Sequence, residues 1–240
     1  MIDEQQEKRV LQWGGLAGML GSIIFIFVFV IVGVFVGSDP VELAGWVERF
    51  PDIRAARTAE NSLYLLVLIV WVPHFLALYI ALRKTSLAPA LFGTVLSILG
   101  LVVLAAGALP HAATVPLADL YHAPGATAAD QAALTLMWQA TWGIFDALLI
   151  VGLVFLPIGL TLLGVAMLES PAFGRGFGWM TVIIGVFGIA AAVVLLIVID
   201  SPIAAISVFG LIIFHLVVGR KVYTLSHTSE ERTSDYAFSR

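Results

Sequence analysis

The chain has 240 residues, 60% of them hydrophobic and 12% charged, with a net charge of -4 and a mean hydropathy of +1.03. Soluble domains are roughly 45–50% apolar and about 25% charged, so a chain with half the usual charge cannot cover its apolar surface in water, and a soluble globular protein is excluded. The absence of cysteine removes disulfides, thiol nucleophiles, cysteine-ligated zinc and iron–sulfur clusters, and the scattered basic residues argue against nucleic acid as a partner.

An all-α, polytopic integral membrane protein is expected, with the lipid bilayer as its solvent. A spanning helix needs about 20 apolar residues at 1.5 Å each, and six stretches qualify: 16–36, 63–82, 87–108, 145–167, 178–199 and 203–218. The first is rich in Val, Ile and Phe, which in water would favour a strand. In hydrocarbon an isolated strand leaves its backbone groups unpaired, so helix wins. Residues 1–12 form a leading segment, residues 13–223 one six-helix transmembrane domain, and residues 224–240 a polar tail expected to be disordered.

Lys8, Arg9, Arg83, Lys84, Arg175, Arg220, Lys221, Arg232 and Arg240 fall on one side of these spans, and Arg49, Arg54 and Arg57 on the other. Basic residues collect on the cytoplasmic side, so both termini are expected in the cytoplasm of a multi-pass protein of the cell (inner) membrane. The two long connections, 37–62 and 110–135, then lie outside.

In the first connection, Ser38 or Asp39 can cap a helix with Pro40 at its first position. Val41, Leu43, Trp46, Val47 and Phe50 give that helix an apolar side, so it is expected to lie at the interface. Pro51 should stop it and Asp52 should cap the next. In the second connection Thr127 and Asp130 have the spacing of a capping box. A helix from there to Leu168 would be about 60 Å long, so it must project outward or break near Gly143 or Pro157. Trp138 and Trp142 share a face at this level and suit an outer aromatic belt. A weak repeat pairs Gly93 with Gly178 and Gly100 with Gly185, although small residues recur in membrane helices simply to let them approach.

The first span ends in Ser38-Asp39-Pro40 with Leu43 shortly after, and Arg54 to Arg57 lead into the second span. A turn follows Arg83 and Lys84, and small residues gather at Gly178, Gly185 and Gly188. In these features the layout, over roughly residues 13–218, resembles a bacterial six-helix membrane family known only as domain of unknown function 4386. The resemblance implies the fold and attaches no activity, cofactor or catalytic residue.

Ionisable residues inside spans cost about 2.5 to 3.5 kcal/mol on insertion scales and mark candidate sites. His74 is expected near the midplane, after Pro73. Its ring either serves a ligand or, as a neutral imidazole, bonds a carbonyl or hydroxyl on a neighbouring helix. His215 lies nearer the inner boundary. The two as haem ligands would differ in depth by about 6 Å, and no haem-family spacing or zinc motif is present. Asp146 is the one acid within a predicted span, and it lies towards the outer end. With His111, Asp200 and His122 it forms either a polar cluster for a metal, a proton or a lipid headgroup, or a set of wetted interfacial residues with Asp200 capping the last span.

No phosphate loop, nucleophile elbow or serine–histidine spacing is found, so an enzyme is the weaker expectation. The favoured reading is a small structural, partner-binding or lipid-binding membrane protein, able to form homo-oligomers or to join a membrane partner. The rivals are a small-solute or ion transporter element, with Pro73 and Pro157 at its binding level, and a lipid-acting enzyme at the outer face. A polar cavity reaching His74 would favour transport. An outward cup containing His111, Asp146, Asp200, Trp138 and Trp142 would favour headgroup binding or lipid chemistry.

Overall fold

The structure, a computed structural model, describes residues 4–38, 40, 42–198 and 201–238, with side chains as far as His227 and without that of Leu43. Seven α-helices follow in order: α1 Glu4–Ile31, α2 Leu43–Leu82, α3 Leu87–Ala106, α4 Ala108–Tyr121, α5 Ala128–Glu169, α6 Gly174–Ile197 and α7 Ile203–Phe238. A π-helical turn, Val32–Val36, closes α1, and Gly37 at φ 69° ends it by donating to the Val32 carbonyl. No strand occurs among the described residues. Among the described residues six helices are long and apolar enough to cross a membrane, so the fold is that of a multi-pass helical membrane protein.

The helices associate as two groups, α1 with α2 and α7, and α5 with α3 and α6, joined along α2–α3 and α6–α7. Lipid supplies little hydrophobic drive between helices, so close approach at small residues must hold them. In α1, Gly14, Gly15, Gly18 and Gly21 are all buried on one face. A Cβ at Gly15 would stand 2.5 Å from the backbone nitrogen of Tyr223 on α7, and one at Gly21 would stand 2.5 Å from the indole nitrogen of Trp71 on α2. Gly93 and Gly100 of α3, and Gly178 and Gly185 of α6, all press against α5. The glycines that suggested a repeat thus share the task of docking on one central helix.

Three corrections concern residues 37–62. Pro51 does not stop a helix: α2 runs unbroken through Pro51 and Pro73. A proline lacks the N–H that would serve the carbonyl four residues back, here that of Val47, and the His122 ring bonds that carbonyl at 3.1 Å instead. The helix begins after Glu42 rather than at Ser38 with Pro40, and Asp39 lies outside the described residues. Nor does the apolar side of this segment lie on lipid, since Val47 and Phe50 are buried against α4 and α5.

The second connection is also mostly helix. Pro110 cannot continue the ladder of α3, so the chain offsets at Gly107 and resumes as α4. Tyr64 donates to the Leu104 carbonyl on one side of this break, and Asn61 to that of Ala108 on the other. Thr127 and Asp130 do form the capping box that opens α5, which then runs 42 residues through Gly143 and Pro157 without a break. That length is about 63 Å, so α5 projects beyond the bilayer. Its N-terminal part, α4 and the N-terminal part of α2 make a cap with its own small core: Val47, Phe50, Leu117, Ala118, Tyr121 and Trp138. Trp138 is 2% exposed, a core residue of this cap rather than part of a lipid-facing belt.

Ion pairs mark both ends. Arg54 forks onto Asp119 at 2.6 and 3.2 Å across the cap, but both side chains are about half exposed, and exposed pairs contribute roughly 0–1 kcal/mol. Apolar packing therefore carries the cap and the fork sets its register. At the opposite end Glu7 holds both Arg83 and Lys84, at 2.6 and 2.7 Å, tying α1 to the α2–α3 turn. Helix α7 is assigned from Ile203 to Phe238.

Candidate functional site

The cap encloses a cavity of about 430 Å³ between α2, α4 and α5. Helix α2 contributes Trp46, Arg49, Phe50, Ile53, Arg57 and Asn61, a face repeating every three to four residues. Helix α4 adds His111, Ala112 and Val115, and α5 adds Trp138 and Trp142. The walls interlock as edge-to-face pairs: Trp46 with Trp142 at 5.5 Å and Phe50 with Trp138 at 5.2 Å between centroids. His111 stacks on Phe145 at 4.7 Å and stands edge-on to Trp142 at 4.7 Å. Aromatic contacts of this kind contribute about 0.5–1.5 kcal/mol each beyond burial, so the walls are preformed.

The polar groups are also held. Trp46 donates to the Pro40 carbonyl at 2.8 Å and Arg49 to that of Ser38 at 2.7 Å, which folds the α1–α2 connection over the cavity. Arg57 pairs with Glu60 at 3.0 Å while its guanidinium lies 5.6 Å from the Trp142 ring centre. Four atoms of the lining are buried with no partner in the protein: His111 Nε2, Trp138 Nε1, Trp142 Nε1 and Asn61 Oδ1. A buried polar atom left unmet costs about 1–3 kcal/mol. In the lining of a cavity such atoms can be met by water or by a polar guest.

Of the residues singled out from sequence, His111, Trp138 and Trp142 therefore line one cavity. Asp146 is partly buried on α5, one turn beyond Trp142, and is not part of the lining. Asp200 lies outside the described residues. His122 serves the Val47 carbonyl, next to the Arg54–Asp119 fork in a separate groove. Among the described residues no three histidine, aspartate or glutamate side chains come together as metal ligands. The α2 contribution was obscured by ending a helix at Pro51. With the helix continued, the spacing of Trp46, Arg49, Ile53, Arg57 and Asn61 shows a single face.

His74 and His215 meet at the middle of the bundle, both wholly buried. Their ring centroids are 5.0 Å apart, and His215 stacks on Trp71 at 3.9 Å. The glycine face of α1 makes this possible, since a Cβ at Gly18 would lie 2.6 Å from His74 Nδ1 and 3.0 Å from the His215 carbonyl. His74 Nδ1 is 3.0 Å from the Gly14 carbonyl, the backbone partner expected of a core histidine. Two imidazoles on opposite faces of a haem, at metal–nitrogen distances of about 2 Å, need centroids more than about 6 Å apart. No haem fits between these rings.

Fold and cavity together define a multi-pass, all-α membrane protein whose projecting helices enclose an aromatic chamber. A family model described as Domain of unknown function (DUF4386) matches residues 15–220, and the chain belongs to that family. No curated protein and no solved structure matches it.

Proposed function

We propose that this is a small membrane-embedded binding protein that holds a lipid-like ligand in its outer cavity and carries out no turnover of its own. The observation that carries this reading is the cavity: three tryptophans and a phenylalanine form its walls, and four buried polar atoms in its lining await a partner. Its volume falls in the range of small-ligand sites, roughly 300–1,000 Å³, and its mixture of aromatic wall and few polar groups is what such sites share. Among the described residues the lining offers no carboxylate, so it presents no paired acid and base of the kind a lipid hydrolase would use. The wholly buried His74 and His215, packed ring on ring with Trp71, argue against a solvated transport path at that level.

Protein extracted in mild detergent should carry a small molecule in near one-to-one ratio by native mass spectrometry. Ala112→Trp, which fills the cavity from an exposed helix position, should lose it. Parent and variant with the same bound masses would end the proposal.

The cap is proposed to face the outside of a cytoplasmic membrane, with both termini inside. The support is the excess of Lys and Arg at the end where Glu7 meets Arg83 and Lys84. Thr85→Cys and Ala128→Cys sit at exposed positions on opposite ends. A membrane-impermeant thiol reagent should label the second in intact cells and the first only after permeabilisation. The opposite pattern would invert the protein.

A further inference from the structure

Resting on the cavity reading above, we infer that the ligand is an anionic lipid whose charged headgroup is received by Arg49 and Arg57. Among the described residues the cavity lining contains these two guanidiniums and no aspartate or glutamate. Indole and guanidinium nitrogens can only donate hydrogen bonds. The unmatched groups at Trp138 and Trp142, together with the two arginines, therefore ask for a guest rich in acceptor oxygens, such as a phosphate. Arginine meets such groups with a fork of parallel N–H donors. Here the forks are oriented before binding, Arg57 by Glu60 and the Trp142 face, Arg49 by the Ser38 carbonyl. Asn61 Oδ1 is an unmatched acceptor of the lining and suits a hydroxyl beside the charge, and His111 Nε2 donates or accepts according to its tautomer.

The height of the cavity favours a lipid over a dissolved anion. Asn61 and Ser62 line it immediately before the apolar run 63–82 begins, so it sits where phospholipid headgroups sit. Leu109 and Ile144, each two residues from a lining residue, are exposed apolar side chains against which acyl chains can lie. A quaternary ammonium would also suit aromatic walls, but Arg57 already lies over the Trp142 ring, and Glu60, the carboxylate beside it, is already paired with that arginine.

The test titrates full-length protein in mild detergent with dioleoylphosphatidylglycerol and with dioleoylglycerol, which has the same chains and no phosphate, read by native mass spectrometry. The phosphatidylglycerol should bind at least about tenfold more tightly. That preference should vanish in Arg49→Gln combined with Arg57→Gln and Glu60→Gln, where the glutamate is neutralised so that no unpaired carboxylate remains. Ala112→Trp should remove the binding of both lipids. Equal affinity for the two lipids in the parent, with loss in Ala112→Trp, overturns the anion inference and leaves the cavity reading standing. A preference that survives removal of the arginines does the same. Binding indifferent to Ala112→Trp overturns both. Inorganic phosphate at millimolar concentration should not displace the lipid, and displacement would mean that the cavity takes a dissolved anion instead.

Discussion

Gly159→Leu should leave no folded, monodisperse protein after extraction, whereas Gly143→Leu should melt close to the parent. A Cβ at Gly159 would stand 2.6 Å from both the Gly93 carbonyl oxygen and the Ser97 backbone nitrogen. These are backbone atoms of α3 and cannot rotate away, so the two helices would have to separate. The contact is repeated along the interface: a Cβ at Gly93 would be 2.9 Å from the Gly159 carbonyl, and one at Gly100 would be 2.7 Å from the Leu156 nitrogen. Interfaces in lipid depend on van der Waals contact, and a gap of about 0.5–1 Å already forfeits a quarter to a half of it. Overpacking a core costs about 1–3 kcal/mol where side chains can yield. With backbone on both sides the cost exceeds about 3 kcal/mol, a large part of a total stability of about 5–15 kcal/mol. A Cβ at Gly143 would find nothing within 4 Å, so the same substitution there meets open space. Thermal unfolding in detergent distinguishes the two, and a Gly159→Leu protein that melts within a few degrees of the parent would show that α3 and α5 do not depend on this approach.

The spans were legible because hydrocarbon reduces the choices. An apolar run of about 20 residues has one stable form in lipid, and each predicted run is helical over most of its described length, including Ile23 to Val36 despite its β-branched content. The cap was less legible because its signals are compensated at a distance. Pro51 reads as a helix stop unless it is known that His122, far along the chain, meets the carbonyl it leaves unserved. Gly143 and Pro157 read as breaks in α5, yet the helix continues through both. The site was half legible for the same reason. His111, Trp138 and Trp142 stood out as polar or aromatic residues at the outer level, whereas Arg49, Arg57 and Asn61 gain their meaning only when α2 is continuous and turns one face to the cavity. The depth count that separated His74 from His215 assumed upright, evenly spaced helices, and the glycine face of α1 lets α2 and α7 converge instead.

Trp138→Ala should open the cap while leaving the membrane bundle closed. Trp138 is 2% exposed and packs edge-on to Phe50 in a core of six buried residues that is separate from the core of the spans. Truncating a buried Trp to Ala costs about 3–5 kcal/mol. The Arg54–Asp119 fork cannot replace that, since an exposed pair contributes at most about 1 kcal/mol. The loss falls on a unit with little else to hold it, so the response is local opening rather than global unfolding. Backbone amides of α4 and of the N-terminal turns of α2 and α5 should exchange with deuterium at least about a hundredfold faster, as a loss near 3 kcal/mol implies, while those of α3 and α6 keep their protection. Ligand retained by the parent should be lost with the cavity wall. Trp138→Phe keeps an aromatic wall but gives up one ring's volume together with an indole N–H that has no partner in the protein, so it should restore part of the protection. If exchange rises evenly through all the helices, the cap is not a unit of its own. If it does not rise at all, Trp138 is not what holds the cap together.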